Sequence, residues 1–301
     1  MPAPRFSPNP PSATRRSPRP PVRSVRPAPW APTVPPAPRP RFAPSVLFAL
    51  VLSSVLALAG TGTAHAAGAR YVALGDSYSS GLGAGGYDAA SGDCKRSGKA
   101  YPALWAAAHA PASFAFTACA GAVTRDVTAR QLGPLTAATS LVSISVGGDD
   151  AGFADVMTTC VFFSEATCLN RVAKARSFVD SSLPGLLDTT YAAIHAKGPH
   201  ARVVVLGYPH LYQVPGGCLL GLTDASRKAI DAVTDDMDGV IAKRAADHGF
   251  AFADVRAKFR GHELCSGAPW LHSVTLPAEE SYHPTAAGQS GGYLPAFGAA
   301  A

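Results

Sequence analysis

Five short apolar runs, each stopping at a glycine or a polar turn residue, alternate along this chain with longer segments of helical periodicity. The runs are residues 70–75, 114–117, 141–146, 202–207 and 250–255. The fourth, Arg202-Val-Val-Val-Leu-Gly207, is dominated by β-branched residues and bounded by Gly198-Pro199 and Tyr208-Pro209, which favours a buried strand. Helical patterns lie between them, over residues 100–109, 169–196 (with a kink expected at Pro184) and 224–248, where Thr223 is a candidate cap. A small alanine-rich helix is expected after Pro284. Strands that alternate with helices must pair in parallel and be covered on both faces, so the expected fold class is α/β, a three-layer α/β/α sandwich around a mainly parallel sheet. In such sheets chemistry gathers where the strands end in loops.

The first 66 residues are unlike the rest. Residues 1–44 are rich in proline and carry eight arginines with no acidic residue; such a stretch cannot bury enough apolar surface to offset its chain entropy and is expected to be disordered. Residues 45–60 form an apolar run, too short for the ~20 residues that cross a bilayer, and Ala64-His65-Ala66 supplies a small-x-small pattern. The segment reads as an export signal with a long basic leader, cut near Ala66, which makes the protein secreted and extracellular. Arg15-Arg16 stands too far from the apolar run for a twin-arginine signal.

That division decides the charge argument. Without the eight leader arginines, the chain's 26 Lys and Arg fall to 18, against 20 Asp and Glu. The basic balance belongs to the leader, and no nucleic-acid partner is implied. Residues 67–301 suit one domain with a sizeable core. All six cysteines fall there, at 94, 119, 160, 168, 218 and 265. An even number in an exported chain points to three disulfides. Spacing does not choose among the pairings, of which the sequential one is the simplest. No CxxC or paired Cys/His spacing suggests a metal site.

Chemistry-bearing residues sit at the strand ends. Ser77 follows the first run in Gly75-Asp76-Ser77, where glycine permits a sharp turn. Gly121 follows the second, in Cys119-Ala-Gly-Ala122. Gly147-Gly148-Asp149-Asp150 follows the third, and His283-Pro284 closes Glu280-Ser-Tyr-His-Pro-Thr285. A serine nucleophile needs a general base, an orienter for that base and donors for the developing oxyanion. Taken alone, Gly-Asp-Ser is also an ordinary helix start.

These four segments in this order resemble the GDSL, or SGNH, hydrolase superfamily over essentially all of residues 67–301, and in particular its secreted actinomycete lipases, esterases and phospholipases. The resemblance implies a flavodoxin-like fold, no cofactor and no metal. It implies roles for Ser77 as nucleophile and first oxyanion donor, Gly121 as second donor and His283 as general base. It also implies the sequential disulfides Cys94–Cys119, Cys160–Cys168 and Cys218–Cys265.

Two positions depart from the family pattern. Asp149 stands where an asparagine amide usually donates to the oxyanion, and an ionised carboxylate has no proton to give. Asp149 is protonated at work, or faces elsewhere and leaves two backbone donors, or activity is reduced; losing one donor costs about 2.7–4 kcal/mol. Retained activity that prefers mildly acidic pH is expected. Glu280 stands where an aspartate often orients the histidine, and the backbone carbonyls of Glu280 and Ser281 are rivals for that task.

The expected function is secreted carboxylic ester hydrolysis, as a lipase or esterase, through an acyl-enzyme. Phospholipase A1-type and carbohydrate acetylesterase activities are alternatives, as is a catalytically silent binding protein. Partners are a lipid or small ester, with transient lipid-surface contact, and the protein is expected to be a monomer. Tyr78, Trp105 and Phe153 are candidates for either an acyl site or the core. His210 and His272 are candidates for a pocket border, and Asp231, Asp235, Asp236 and Asp238 for a solvated helix face.

Overall fold

The computed structural model describes residues 68–218 and 221–301; the export segment read from residues 1–66 lies outside them. Five parallel strands form the sheet: β1 (Arg70–Ala73), β2 (Ser113–Phe116), β3 (Leu141–Ile144), β4 (Arg202–Leu206) and β5 (Ala251–Ala253), in the order β2-β1-β3-β4-β5. Four lie within the runs read from sequence, and β2 overlaps its run but begins one residue earlier, at Ser113. β3 is buried along its whole length and β4 in all but its first residue, while the edge strands β2 and β5 are only partly covered. Central strands covered by helices on both faces can therefore be apolar at every position, which is why they read clearly.

Nine helices connect and cover the strands among the described residues: α1 (Ser77–Ser80), α2 (Tyr101–His109), α3 (Thr124–Asp126), α4 (Phe153–Phe162), α5 (Glu165–Ser181), α6 (Leu183–Lys197), α7 (Asp224–Asp247), α8 (Arg256–Phe259) and α9 (Leu294–Ala300). α2 and α9 pack on each other and cover one face; Tyr71 of β1 meets Trp105 of α2 edge-on at 5.2 Å and stacks on Phe297 of α9 at 5.5 Å. α5, α6 and α7 pack together to form the other layer. Trp105 is thus core, packed between Tyr71, His109 and Phe297.

Two helical expectations change. The stretch 169–196 is not one kinked helix: α5 ends at Ser181 and α6 begins at Leu183. Pro184 lies in the first turn of α6, where its missing N–H costs nothing, so the chain breaks and restarts there. α4 has no counterpart in the sequence reading. Its aromatic and β-branched residues are modest helix formers, and it is held from outside, by the Cys160–Cys168 bridge to α5. The other bridges join Cys94 to Cys119 and Cys218 to Cys265.

In this strand order the direction of winding reverses between β1 and β3. The loops leaving their carboxyl ends splay apart there, opening the crevice in which doubly wound sheets bind ligands.

Candidate active site

Ser77 enters that crevice from β1. Gly75 has φ +123°, and a Cβ on it would lie 2.4 Å from the Ser145 carbonyl oxygen; only glycine lets the end of β1 cross the extension of β3 so closely. The buried Gln131 amide holds Gly75 from both sides, accepting from its N–H at 2.7 Å and donating to its carbonyl at 2.9 Å. Asp76 caps α1. One of its oxygens accepts from Tyr78 N–H at 3.0 Å and from Ser145 Oγ at 2.7 Å, and the other accepts from the Tyr208 hydroxyl. Burial raises this carboxyl to about 6, against the hydrogen bonds that favour its charge. Tyr208 in turn accepts from Gly148 N–H at 3.2 Å, linking the Ser77 turn to the loop after β3. Gln131 and Tyr208 carried no sequence signal, because a lone buried Gln or Tyr resembles ordinary core.

His283 comes from the far end of the chain, on a strap paired back on itself: His272 N–H donates to the His283 carbonyl and Tyr282 N–H to the His272 carbonyl, both at 2.9 Å. Its Nε2 lies 2.8 Å from Ser77 Oγ and its Nδ1 lies 3.0 Å from the Ser281 carbonyl. A carbonyl only accepts, so Nδ1 bears the proton and Nε2 turns its lone pair on the serine hydroxyl. Desolvation lowers the imidazole to about 4, the Ser281 carbonyl opposing. The Glu280 carboxylate does not orient it: it accepts instead from the Tyr87 hydroxyl at 2.6 Å. The side chain is turned toward the loop of Gly83, whose N–H donates to the same tyrosine oxygen at 2.9 Å. The rival named in sequence, the Ser281 carbonyl, holds the position.

Gly121 and Asp149 flank the pair. Gly121 has φ +74°, where glycine is at ease, and nothing lies within 4 Å of the place a Cβ would take. The Cys94–Cys119 bridge anchors its loop, with Ala120 N–H donating to the Cys94 carbonyl at 3.1 Å. The Asp149 carboxyl lines the same cavity as Ser77, Gly121 and His283. Burial, then the charges of Asp76 and Asp150, push it up to about 7, and no hydrogen bond favours its ionised form. Next to it Asp150 clamps the two loops together, accepting from Thr124 Oγ1 at 2.7 Å and from Thr124 N–H at 3.0 Å.

A groove of about 440 Å³ leads away from these four residues, walled by Phe153, Met157, Val161 and Phe162 of α4 and by Val274. Phe162, Phe163, Val274 and Leu276 are large apolar side chains left exposed, Leu276 at 89%. Tyr78 is buried beneath the site, its hydroxyl donating to the Tyr282 carbonyl at 2.8 Å. His272 binds the Gly83 carbonyl and His210 pairs with Asp235, so neither faces the groove. Of the α7 aspartates 231, 235, 236 and 238, expected on a solvated face, two are buried. Asp231 accepts from Leu211 and Tyr212 N–H, and Asp238 from Tyr208 N–H, fixing the segment after β4.

A serine hydroxyl bonded to a buried neutral imidazole, at the switch point of a parallel α/β sheet, defines the class of serine acyl hydrolases. The chain belongs to the GDSL-like lipase/acylhydrolase family, whose model matches residues 73–290, and is a carboxylic ester hydrolase. It is 60% identical over 256 residues to a lipase of Streptomyces rimosus, covering 84% of this chain and 96% of that one. The fold is similar to the crystal structure of an extracellular lipase from Streptomyces rimosus, with TM-score 0.77 and 62% identity over 77% of this chain and all of that one. It is equally similar to phospholipase A1 from Streptomyces albidoflavus NA297, with TM-score 0.77 and 61% identity over 78% of this chain and all of that one.

Proposed function

We propose that this protein is a secreted lipase that cleaves long-chain carboxylic esters through an acyl-Ser77 intermediate. The observation that carries this reading is the pair of contacts on His283, 2.8 Å to Ser77 Oγ and 3.0 Å to the Ser281 carbonyl. As Ser77 Oγ attacks the ester carbonyl, Nε2 takes its proton. The oxyanion is received by the N–H groups of Ser77 and Gly121 and by the hydroxyl of Asp149 in its neutral form. On collapse, His283 returns the proton to the departing alcohol, leaving the acyl group on Ser77. Water, deprotonated by the same imidazole, then releases the carboxylic acid.

The apolar walls and the volume of the groove support an acyl chain over an acetyl group. The exposed apolar residues at its mouth support transient seating on a lipid surface. Groove and Ser–His pair come from a single chain, so a monomer suffices. Export with cleavage near Ala66 is supported by the three disulfides and by the extracellular setting of the Streptomyces rimosus lipase.

Stopped-flow hydrolysis of p-nitrophenyl butyrate tests the mechanism. A burst of p-nitrophenol equal to the enzyme present, absent in Ser77→Ala, is expected; full turnover in Ser77→Ala excludes the acyl-enzyme.

A further inference from the structure

Beside the acyl groove lies a second cavity of about 390 Å³, walled by Tyr212, Arg227, Ser266, Ser273 and the Cys218–Cys265 bridge. Val161, Val274 and Tyr282 line both cavities, so the two are neighbours across those side chains. Tyr282 directly precedes His283, which sets the second cavity next to the scissile bond.

Arg227 is the unusual member of this wall. It is only 4% exposed, yet its sole ion-pair partner among the described residues is Asp224, at 3.3 Å, whose own side chain is 54% exposed. The guanidinium stands 5.8 Å from the centre of the Tyr212 ring, and its buried Nε has no hydrogen-bond partner among the described residues. An arginine cannot shed its proton to escape burial. A buried charge with a solvated partner and an idle donor is costly unless something else completes it. A planar fork of N–H groups matches the oxygens of a phosphate diester.

We propose that Arg227 forms an anion subsite that takes the phosphodiester of a glycerophospholipid while the acyl chain lies in the adjoining groove. The proposal rests on the ester-hydrolase reading and names its substrate class. Only the glycerol backbone separates the sn-1 ester of such a lipid from its phosphate, so headgroup and scissile carbonyl must sit close together, as the two cavities do. The mixed character of the walls fits as well: α4 offers the acyl chain an apolar surface, while Ser266, Ser273 and Arg227 offer the headgroup polar groups.

The test compares dioleoyl phosphatidylcholine with dioleoylglycerol in the same detergent micelles, for the wild type, Arg227→Gln and Arg227→Lys. The two substrates share their acyl chains and differ in the phosphodiester. In Arg227→Gln the ratio of kcat/KM for phosphatidylcholine to that for dioleoylglycerol should fall about tenfold or more, through KM, and Arg227→Lys should recover part of it. Equal losses on both substrates, or no loss on either, overturn the subsite and leave Arg227 a support for Tyr212. A wild-type measurement guards against misfolding of the variants. A dialkyl ether phosphatidylcholine, which has no ester to cut, should compete with substrate at least about tenfold better than the dialkyl ether glycerol; equal competition again overturns the subsite. Wild type that hydrolyses dioleoylglycerol but not phosphatidylcholine sinks the subsite alone, whereas wild type without Ser77-dependent hydrolysis of either lipid sinks the reading beneath it.

Discussion

The imidazole of His283 donates from Nδ1 to a backbone carbonyl, and the carboxylate named as a candidate orienter, Glu280, is engaged by Tyr87. On the proposed mechanism the imidazolium formed during attack is steadied by a dipole rather than a full charge, in keeping with a free imidazole that desolvation holds at about 4. Glu280→Gln should keep turnover within about threefold, and a fall of two orders of magnitude would return the orienting role to the carboxylate. The pH dependence follows from two signs. On the proposed mechanism His283 must be neutral to accept a proton, so activity should rise as pH passes upward through about 4, and Asp149 must be protonated to donate, so activity should fall as pH passes upward through about 7. A pH–rate profile should peak between these limits, and Asp149→Asn, whose amide donates at any pH, should lose the alkaline fall. An unchanged profile in that variant would exclude the protonated carboxyl. The pairing of Ser77 with His283 was legible because both are side chains in ordered motifs. The Ser281 carbonyl was readable only as one of several rivals, since every residue carries one. The burial of Asp231 and Asp238 was hidden because their partners, the backbone N–H groups after β4, come from a different stretch of chain.

At the scale of elements, the proposed oxyanion donors belong to loops after different strands, and other side chains hold these loops in register. Asp150 ties the Gly121 loop to the Asp149 loop through Thr124, and Tyr208 ties the Ser77 turn to Gly148. Asp150→Ala should lower kcat about tenfold or more with little change in KM, because misplaced donors weaken the transition state more than the ground state. A change confined to KM would contradict this clamp. The Cys160–Cys168 bridge likewise fixes α4, the apolar wall of the groove, against α5. The strands were legible because burial on both faces leaves continuous apolar runs. α4 was not: its residues favour a helix weakly, and the bridge and its packing decide the matter. Pro184 was read as a kink inside one helix, whereas the chain breaks there and the proline sits in the first turn of a new helix.

For the molecule as a whole, sheet order places the site at the β1–β3 crevice, and the groove runs from there to a mouth ringed by exposed apolar side chains. The exposed Phe163 follows the groove-lining Phe162, and the exposed Leu276 lies between the groove-lining Val274 and Ala278, without either lining the groove itself. The double substitution Phe163→Ser and Leu276→Ser should weaken hydrolysis of emulsified triolein several-fold while leaving that of monomeric p-nitrophenyl butyrate near wild type; equal rates on the emulsion would show that the rim does not meet the lipid surface. The layers and the parallel sheet were legible in the alternation of apolar runs and helical segments. Of the groove only Phe153 was named as an acyl-site candidate, because the walls come from α4 and from a loop more than a hundred residues further along. Everything above depends on Ser77 as the atom that takes the acyl group. The direct measurement is peptide mass spectrometry after titration with an alkyl p-nitrophenyl phosphonate, which leaves a stable phosphonyl ester on a reactive serine. One adduct, on the peptide holding Ser77, with hydrolysis lost in proportion to labelling, is the expected result; an adduct on another residue, or hydrolysis that survives complete labelling of Ser77, would contradict it.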